Sequence, residues 1–461
     1  MTLRTDDTIA ALATPAGEGA LAVIRISGPR AIALADAVFR GRAPLAAAPT
    51  HTLHHGAIVG GEGERIDEVL AAVFRAPRSY TGEESVEISC HGGIYVSNAV
   101  LGAILGAGAR QAEPGEFTRR AFVNGRMDLS RAEAVAALIA ARSAGAHRAS
   151  VEQLGGKLAS SVGEIRDELI RLCALLELDL DFSEEGLVIV PRDEIERKIT
   201  QTGKRVRGMA GTFASGKQYR DGVSIVIAGR PNAGKSSLFN ALLKESRAIV
   251  TPIPGTTRDY LEESVTINGV LFRLVDTAGL RESGDTIEAE GIARSWKSIQ
   301  RADIILHVVD ASCGLSLSEK TLEADVSQVR ILVWNKMDLA PPTTDWGGEG
   351  ISMAAGSPVA VISAKTGEGV KELSDLLVRC VGEKNIGAHE SVQITTRRHY
   401  DALSRAAESL EGALRALTEG RTNEFISFEV REAILTLAGI TGEVTNEEIL
   451  NSIFSSFCIG K

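Results

Sequence analysis

The sequence is short of paired cysteine, of long apolar runs and of positive charge. Its five cysteines, at 90, 173, 313, 380 and 458, are odd in number and scattered, and none forms a Cys-x-x-Cys pair. That pattern excludes a disulfide framework and a zinc site, and it fits reduced thiols in a cytosol-like compartment. No apolar stretch approaches the ~18 residues of a membrane-spanning helix. The opening "MTLRTDDTIAAL" carries acids where a signal or transit peptide needs bases. A net charge of -10, with pI near 5.5, argues against a protein that coats nucleic acid non-specifically, and leaves room for a local basic face. The last residues, "FSSFCIGK", put a cysteine where a prenylation box would have one. Gly460 is not aliphatic, Lys461 is not a usual last residue of such a box, and no polybasic run precedes it, so a lipid anchor is excluded. The expectation is a soluble cytoplasmic protein.

What is present is organised in three textures, with no low-complexity segment or fixed-period repeat. At 461 residues the chain is too long for one ordinary domain, and the length suggests about three. Short apolar runs such as "LAVIRIS" and "EVLAAVF", broken by Gly and Pro, predict an α+β unit over 1–122. Long Ala/Leu/Glu/Arg stretches with apolar residues at three- and four-residue steps predict helices over 123–219 and again over 387–461. Between them, over 220–386, β-branched runs alternate with amphipathic segments, the pattern of a parallel sheet wrapped by helices. The predicted fold is therefore multidomain α/β: an N-terminal α+β domain and a discontinuous all-α helical domain interrupted by an inserted Ras-like P-loop domain.

"VSIVIAGRPNAGKSSLFNALL" holds Gly229-x-x-x-x-Gly234-Lys235-Ser236 after a predicted strand and before a predicted helix. There, backbone N–H groups can cradle phosphates, Lys235 can reach the β/γ oxygens and Ser236 can ligate Mg²⁺. Four further pieces follow in order. "VTPIPGTTRD" supplies Thr257 or its neighbour Thr256 as the switch hydroxyl that closes on Mg²⁺, and "FRLVDTAGL" supplies Asp276 and Gly279 for the metal shell and γ-phosphate. "ILVWNKMDL" ends in Asn335-Lys336-x-Asp338, whose carboxylate can accept from the N1 and N2 donors of guanine. Adenine lacks that donor pair, so the motif selects GTP. "VAVISAK" adds Ser363, Ala364 and Lys365 beside the base. The expected GTP contacts are Asn232, Ala233, Gly234, Lys235, Ser236, Ser237, Thr251, Thr256, Thr257, Asp276, Thr277, Ala278, Gly279, Asn335, Lys336, Asp338, Ser363, Ala364 and Lys365. Asn268-Gly269 in "ESVTINGVLFRLVD" predicts a hairpin that adds one antiparallel strand.

Leu280 follows the Asp276–Gly279 motif where Ras-like enzymes carry a water-orienting glutamine. An apolar side chain cannot do that work. Glu288 and Glu290 in "RESGDTIEAEGIARS" are read either as water-orienting acids or as solvated acids at a helix start. Arg258 is read either as an internal arginine finger or as a solvated or RNA-facing base.

The segments "ATPAGEGALAVIRISGPRA", "SYTGEESVEISCHGG", "EPGEFTRRAFVNGRMDLSRAEAVAALI" and "ITGEVTNEEILNSIFSSFCIGK", together with the inserted G domain, resemble the MnmE (TrmE) family of bacterial tRNA modification GTPases over nearly the whole chain. The resemblance implies a homodimer formed through a first domain that binds a 5-formyl- or 5,10-methylene-tetrahydrofolate. It also implies an FAD-dependent partner, MnmG (GidA), in a heterotetramer or larger assembly. Together they would install an aminomethyl-type group at C5 of a tRNA wobble uridine. It further implies a K⁺ ion held by Asn232, Thr251, Ile253 and Thr256, water oriented by Glu288, and a folate pocket lined by Arg25, Glu87, Arg126 and Lys461. Arg126 departs from the family pattern, where lysine is common.

Cys458 then has two readings: a thiol nucleophile at the modification site, or a packed small hydrophobe beside the anchors Phe454 and Phe457. The doublets Arg119-Arg120 and Arg397-Arg398, the latter followed by His399, are read either as RNA phosphate contacts or as solvated faces or ion-pair partners. His91 is read either as a ligand contact or as a structural histidine in a turn. The rival to the enzyme reading is a GTP-dependent ribosome-assembly or regulatory switch. The folate-like motifs and "CIGK" favour the enzyme.

Overall fold

The computed structural model describes residues 6–181, 190–245, 262–276, 302–313, 328–339, 358–384 and 392–461. Two compact units emerge, Met1–Ile139 with Glu152–Gly203 and Arg405–Lys461, and Ala140–Val151 with Lys204–Ser404.

The first unit is built on a seven-stranded sheet of β1 (Ile9–Leu12), β2 (Leu21–Ser27), β3 (Phe39–Gly41), β4 (Thr52–Val59), β5 (Arg65–Phe74), β6 (Ser85–His91) and β7 (Arg110–Gln111), in the order β3-β4-β5-β6-β2-β1-β7. Alternation decides its faces. In "LAVIRIS", Ala22, Ile24 and Ile26 enter a core shared with helices Ala31–Val38 and Ile94–Gly106, which sends Arg25 to the opposite face. Antiparallel pairing of β2 with β6 sets Arg25 opposite Glu87.

Helices complete this unit. Lys157–Asp181 packs on Asn423–Thr441, where the buried Cys173 thiol lies 3.4 Å from the Ser427 hydroxyl. Segments about 250 residues apart in sequence thus share one core, consistent with insertion of the second unit between them. Helix Glu447–Phe454 begins at Asn446, whose side chain accepts the Ile449 N–H, and it buries Leu450, Phe454 and the following Phe457 against Leu129, Ala132 and Val135.

The second unit carries a six-stranded sheet of β8 (Val223–Ala228), β9 (Glu262–Ile267), β10 (Val270–Asp276), β11 (Ile304–Asp310), β12 (Val329–Asn335) and β13 (Val359–Val361), in the order β13-β12-β11-β8-β10-β9. Every pairing is parallel except β9 with β10. That hairpin turns through Asn268 and Gly269, with φ of 47° and 83°, the left-handed pair a two-residue type I′ turn requires. β11 is buried along nearly its whole length, as suits a central strand of a parallel sheet with β12 and β8 on either side.

No helix of the described residues is long and apolar enough to cross a membrane. The five cysteines are free thiols.

Candidate functional site

Two sites form, one in each unit. In the second, β8 runs into the glycine loop and helix Lys235–Glu245, at the carboxyl edge of the parallel strands where open α/β sheets take ligands. A Cβ on Gly234 would stand 2.2 Å from Asn335 Nδ2, and Gly234 has a φ of 91°, so only glycine fits. Asn335 ties three motifs together: it donates through Nδ2 to Ala233 O (2.9 Å), and its Oδ1 accepts the Ala364 N–H (2.9 Å). The Ser363 hydroxyl donates to Asp338 Oδ1 (2.8 Å), fixing the carboxylate expected to read guanine. Lys235 Nζ donates to Gly229 O and Arg230 O, and Asn232 adopts a left-handed φ of 63° within the loop. Ser236 and Ser237 open the helix, and Lys365 follows Ala364 in the loop after β13. Asp276 ends β10. Thr251, Ile253, Thr256, Thr257, Arg258, Thr277, Ala278, Gly279, Leu280, Glu288 and Glu290 lie outside the described residues.

Sequence reasoning did not single out Asp310, at the end of β11. Its Oδ2 accepts from Lys336 Nζ at 2.7 Å, and its Oδ1 accepts from the Ser312 N–H and hydroxyl. Burial pushes this carboxyl up, but the Lys336 and Ser312 hydrogen bonds outweigh it and hold the group below its ordinary range. An acid closing a strand that is apolar but for His307 was the available signal.

In the first unit, residues far apart in sequence converge on the face of β2 that carries Arg25. Arg25 Nε donates to Glu87 Oε1 (2.8 Å) and Nη1 donates to Gly460 O (3.2 Å). The Tyr80 ring centre lies 5.0 Å from the Arg25 guanidinium carbon and 5.7 Å from Lys461 Nζ, and the Tyr80 hydroxyl bonds Thr118 Oγ1 at 2.9 Å. Burial and the neighbouring Arg25 cation hold the Lys461 ammonium below the usual lysine range, against the pull of Glu87. Burial pushes the Tyr80 phenol up, against Thr118 and Arg25. The CIGK segment is seated by its backbone: Phe117 N–H donates to Lys461 O, and a Cβ on Gly460, which has a φ of 97°, would meet Leu12 O at 2.4 Å.

Arg126 is exposed, its Cγ 3.1 Å from where a Cβ on Gly82 would stand, which sets its stem beside the loop that carries Tyr80. Cys458 is exposed, so it is not the packed hydrophobe of one reading, whereas Phe454 and Phe457 are buried with ring centres 5.5 Å apart.

The RNA reading of Arg119-Arg120 is overturned. Arg120 is fully buried and pairs with Asp7, Glu83 and Glu116, while Arg119 is buried and donates to Asn451 and Glu447 of helix Glu447–Phe454. Acids at distant positions claim both guanidinium groups. Burial pushes the Asp7 and Glu116 carboxyls up, but hydrogen bonds from Arg110 and Arg120 outweigh it and leave both below the usual range. Arg397 pairs with Asp401, and Arg398 bonds the buried His399. His91 closes on Asp67 through both its ring and its backbone N–H, so it serves the structure.

Comparison with known proteins decides the family. A model of the MnmE helical domain matches residues 129–458, and one of the GTP-binding protein TrmE N-terminus matches residues 8–126. The chain is 46% identical over 466 residues to the tRNA modification GTPase MnmE of Chlorobium luteolum, covering 99% of this chain and 98% of that one. The chain belongs to the MnmE family of tRNA modification GTPases. The MnmE of Salinibacter ruber is 45% identical over 460 residues, covering 99% of both chains. The G domain of the T. maritima FeoB iron transporter is 30% identical over 34% of this chain and 97% of that one, with a TM-score of 0.24. By its family, the chain is a GTP-hydrolysing enzyme.

Proposed function

We propose that this MnmE-family chain couples GTP hydrolysis to modification of a tRNA wobble uridine at C5, with a one-carbon tetrahydrofolate held in its first unit. The observation that carries the reading is the convergence of Arg25, Glu87, Tyr80 and Lys461 in a unit that lacks the P-loop. Two cations on one aromatic ring suit a ligand with a flat ring and carboxylates, as a folate has. Cys458, exposed near this cluster in sequence, is the candidate nucleophile, and Arg126 is a candidate rim contact.

In the second unit, Asp338 accepts the two guanine donors and the loop Asn232–Ser237 presents N–H groups and Lys235 to the phosphates. Ser236 and Thr257 would hold Mg²⁺, whose chemistry is to neutralise charge between the β- and γ-phosphates. Asn232, with Thr251, Ile253 and Thr256, would hold K⁺ in place of an arginine finger; the left-handed turn at Asn232 is compatible with that assignment. Glu288 would orient the water that attacks the γ-phosphorus, giving GDP and phosphate. Hydrolysis would move the G unit of a homodimer, which works with tRNA and the FAD-dependent MnmG in the cytoplasm.

Mass spectrometry of tRNA from cells lacking the protein tests the function: wobble uridines without their C5 group are expected, and unchanged uridines would support a binding switch instead. Hydrolysis in KCl is expected to exceed that in NaCl, and equal rates would remove the cation role.

A further inference from the structure

We infer that Asp310 is a positioning residue for the guanine pocket: it pins the Lys336 side chain at the carboxyl edge of the sheet and thereby sets how long nucleotide stays bound. The inference rests on the nucleotide reading of this unit and adds a residue outside its sequence motifs.

Lys336 is held in an uncommon conformation. Its φ of 69° is left-handed, a region that side-chain-bearing residues keep only when their surroundings fix them. Backbone contacts fix its neighbours, since the Asn335 side chain bridges Ala233 and Ala364, and Met337 N–H donates to Ile362 O. The 2.7 Å bond from Nζ to Asp310 Oδ2 acts on the side chain itself. Pairing of β11 with β12 places Asp310 opposite Asn335, one residue before Lys336, so the bond spans two adjacent strand ends. Asp310 is in turn oriented by Ser312 and is largely shielded, with a side-chain exposure of 18%.

The consequence is entropic. A lysine stem has four rotatable carbons, and a free one must be ordered each time a base settles against it. Tied at its tip, the stem is an apolar wall in place before nucleotide arrives, two residues from the Asp338 that reads guanine.

Stopped-flow release of a fluorescent GDP analogue from the full-length chain tests this. Asp310→Asn is expected to speed release and raise KM for GTP by roughly five- to tenfold, with kcat within about twofold of the parent. Asp310→Glu is expected to recover most of the loss, and Ser312→Ala, which loses the hydroxyl bond to Asp310 but keeps the backbone N–H bond and the Lys336 contact, to release GDP at a rate between those of the parent and Asp310→Asn. Parent-like release from Asp310→Asn would overturn the proposal. So would Ser312→Ala releasing as fast as Asp310→Asn, because the turn and not the Lys336 contact would then be the cause. Failure of the parent chain to bind GDP at all would instead sink the nucleotide reading on which the proposal stands.

Discussion

Tyr80 faces two cations while its hydroxyl is tied to Thr118. Each ring–cation contact is worth roughly 0.5–2 kcal/mol depending on desolvation, so Tyr80→Leu is expected to weaken 5-formyl-tetrahydrofolate binding by roughly tenfold. Tyr80→Phe keeps the ring and should bind nearly as well as the parent. Calorimetric titration distinguishes them, and parent-like affinity in Tyr80→Leu would remove the platform role. In the other unit, Gly234→Ala drives a methyl into Asn335 and is expected to abolish nucleotide binding. The glycine was legible because the loop motif is contiguous in sequence. Tyr80 was not, since its partners lie as far as Lys461. For the same reason Arg119 and Arg120 left their readings open: a doublet looks alike whether it faces RNA, solvent or acids brought from 328 and 113 positions away, and the structure bears out the ion-pair reading.

Helix Glu116–Val123 links the sheet of the first unit to helix Glu447–Phe454, and the joint is tight. Gly115, just before it, has a φ of 70°, and a Cβ there would lie 2.5 Å from Phe454 O. Gly115→Ala is therefore expected to cost about 1–3 kcal/mol and to unseat the segment that carries Lys461. Folate binding should fall while GTP hydrolysis continues, as paired titration and turnover assays would show. Retained folate binding would mean that the joint relaxes without moving the tail. Elements of this size were legible where a local signal defined them, as with the Asn268-Gly269 hairpin and the P-loop strand and helix. The short β3 and β7 were not, because pairing with distant strands defines them.

At the scale of the whole molecule the two units should fail separately in acid. Asp7 and Glu116 have folded-state pKa values below their unfolded ones, so between those values the unfolded chain binds more protons and stability decreases as the pH is lowered. The contribution is complete above an unfolded pKa of about 4 and is lost as pH drops through the depressed folded values. The three tryptophans, at 296, 334 and 346, all fall within the span of the second unit. An acid titration is therefore expected to show a first loss of far-ultraviolet ellipticity without a matching change in tryptophan fluorescence; coincident transitions would contradict it. Arg120→Met strands the buried acids that Arg120 pairs, and should move that first step to higher pH.

The central claim is that the CIGK segment completes a ligand site in the first unit that is distinct from the nucleotide site. Calorimetric titration of 5-formyl-tetrahydrofolate into the full-length chain and its Lys461→Ala variant tests it most directly. The account predicts saturable binding to the parent, at least about tenfold weaker in the variant, with KM for GTP unchanged. Equal affinity in the two proteins, or no binding to the parent, would contradict it.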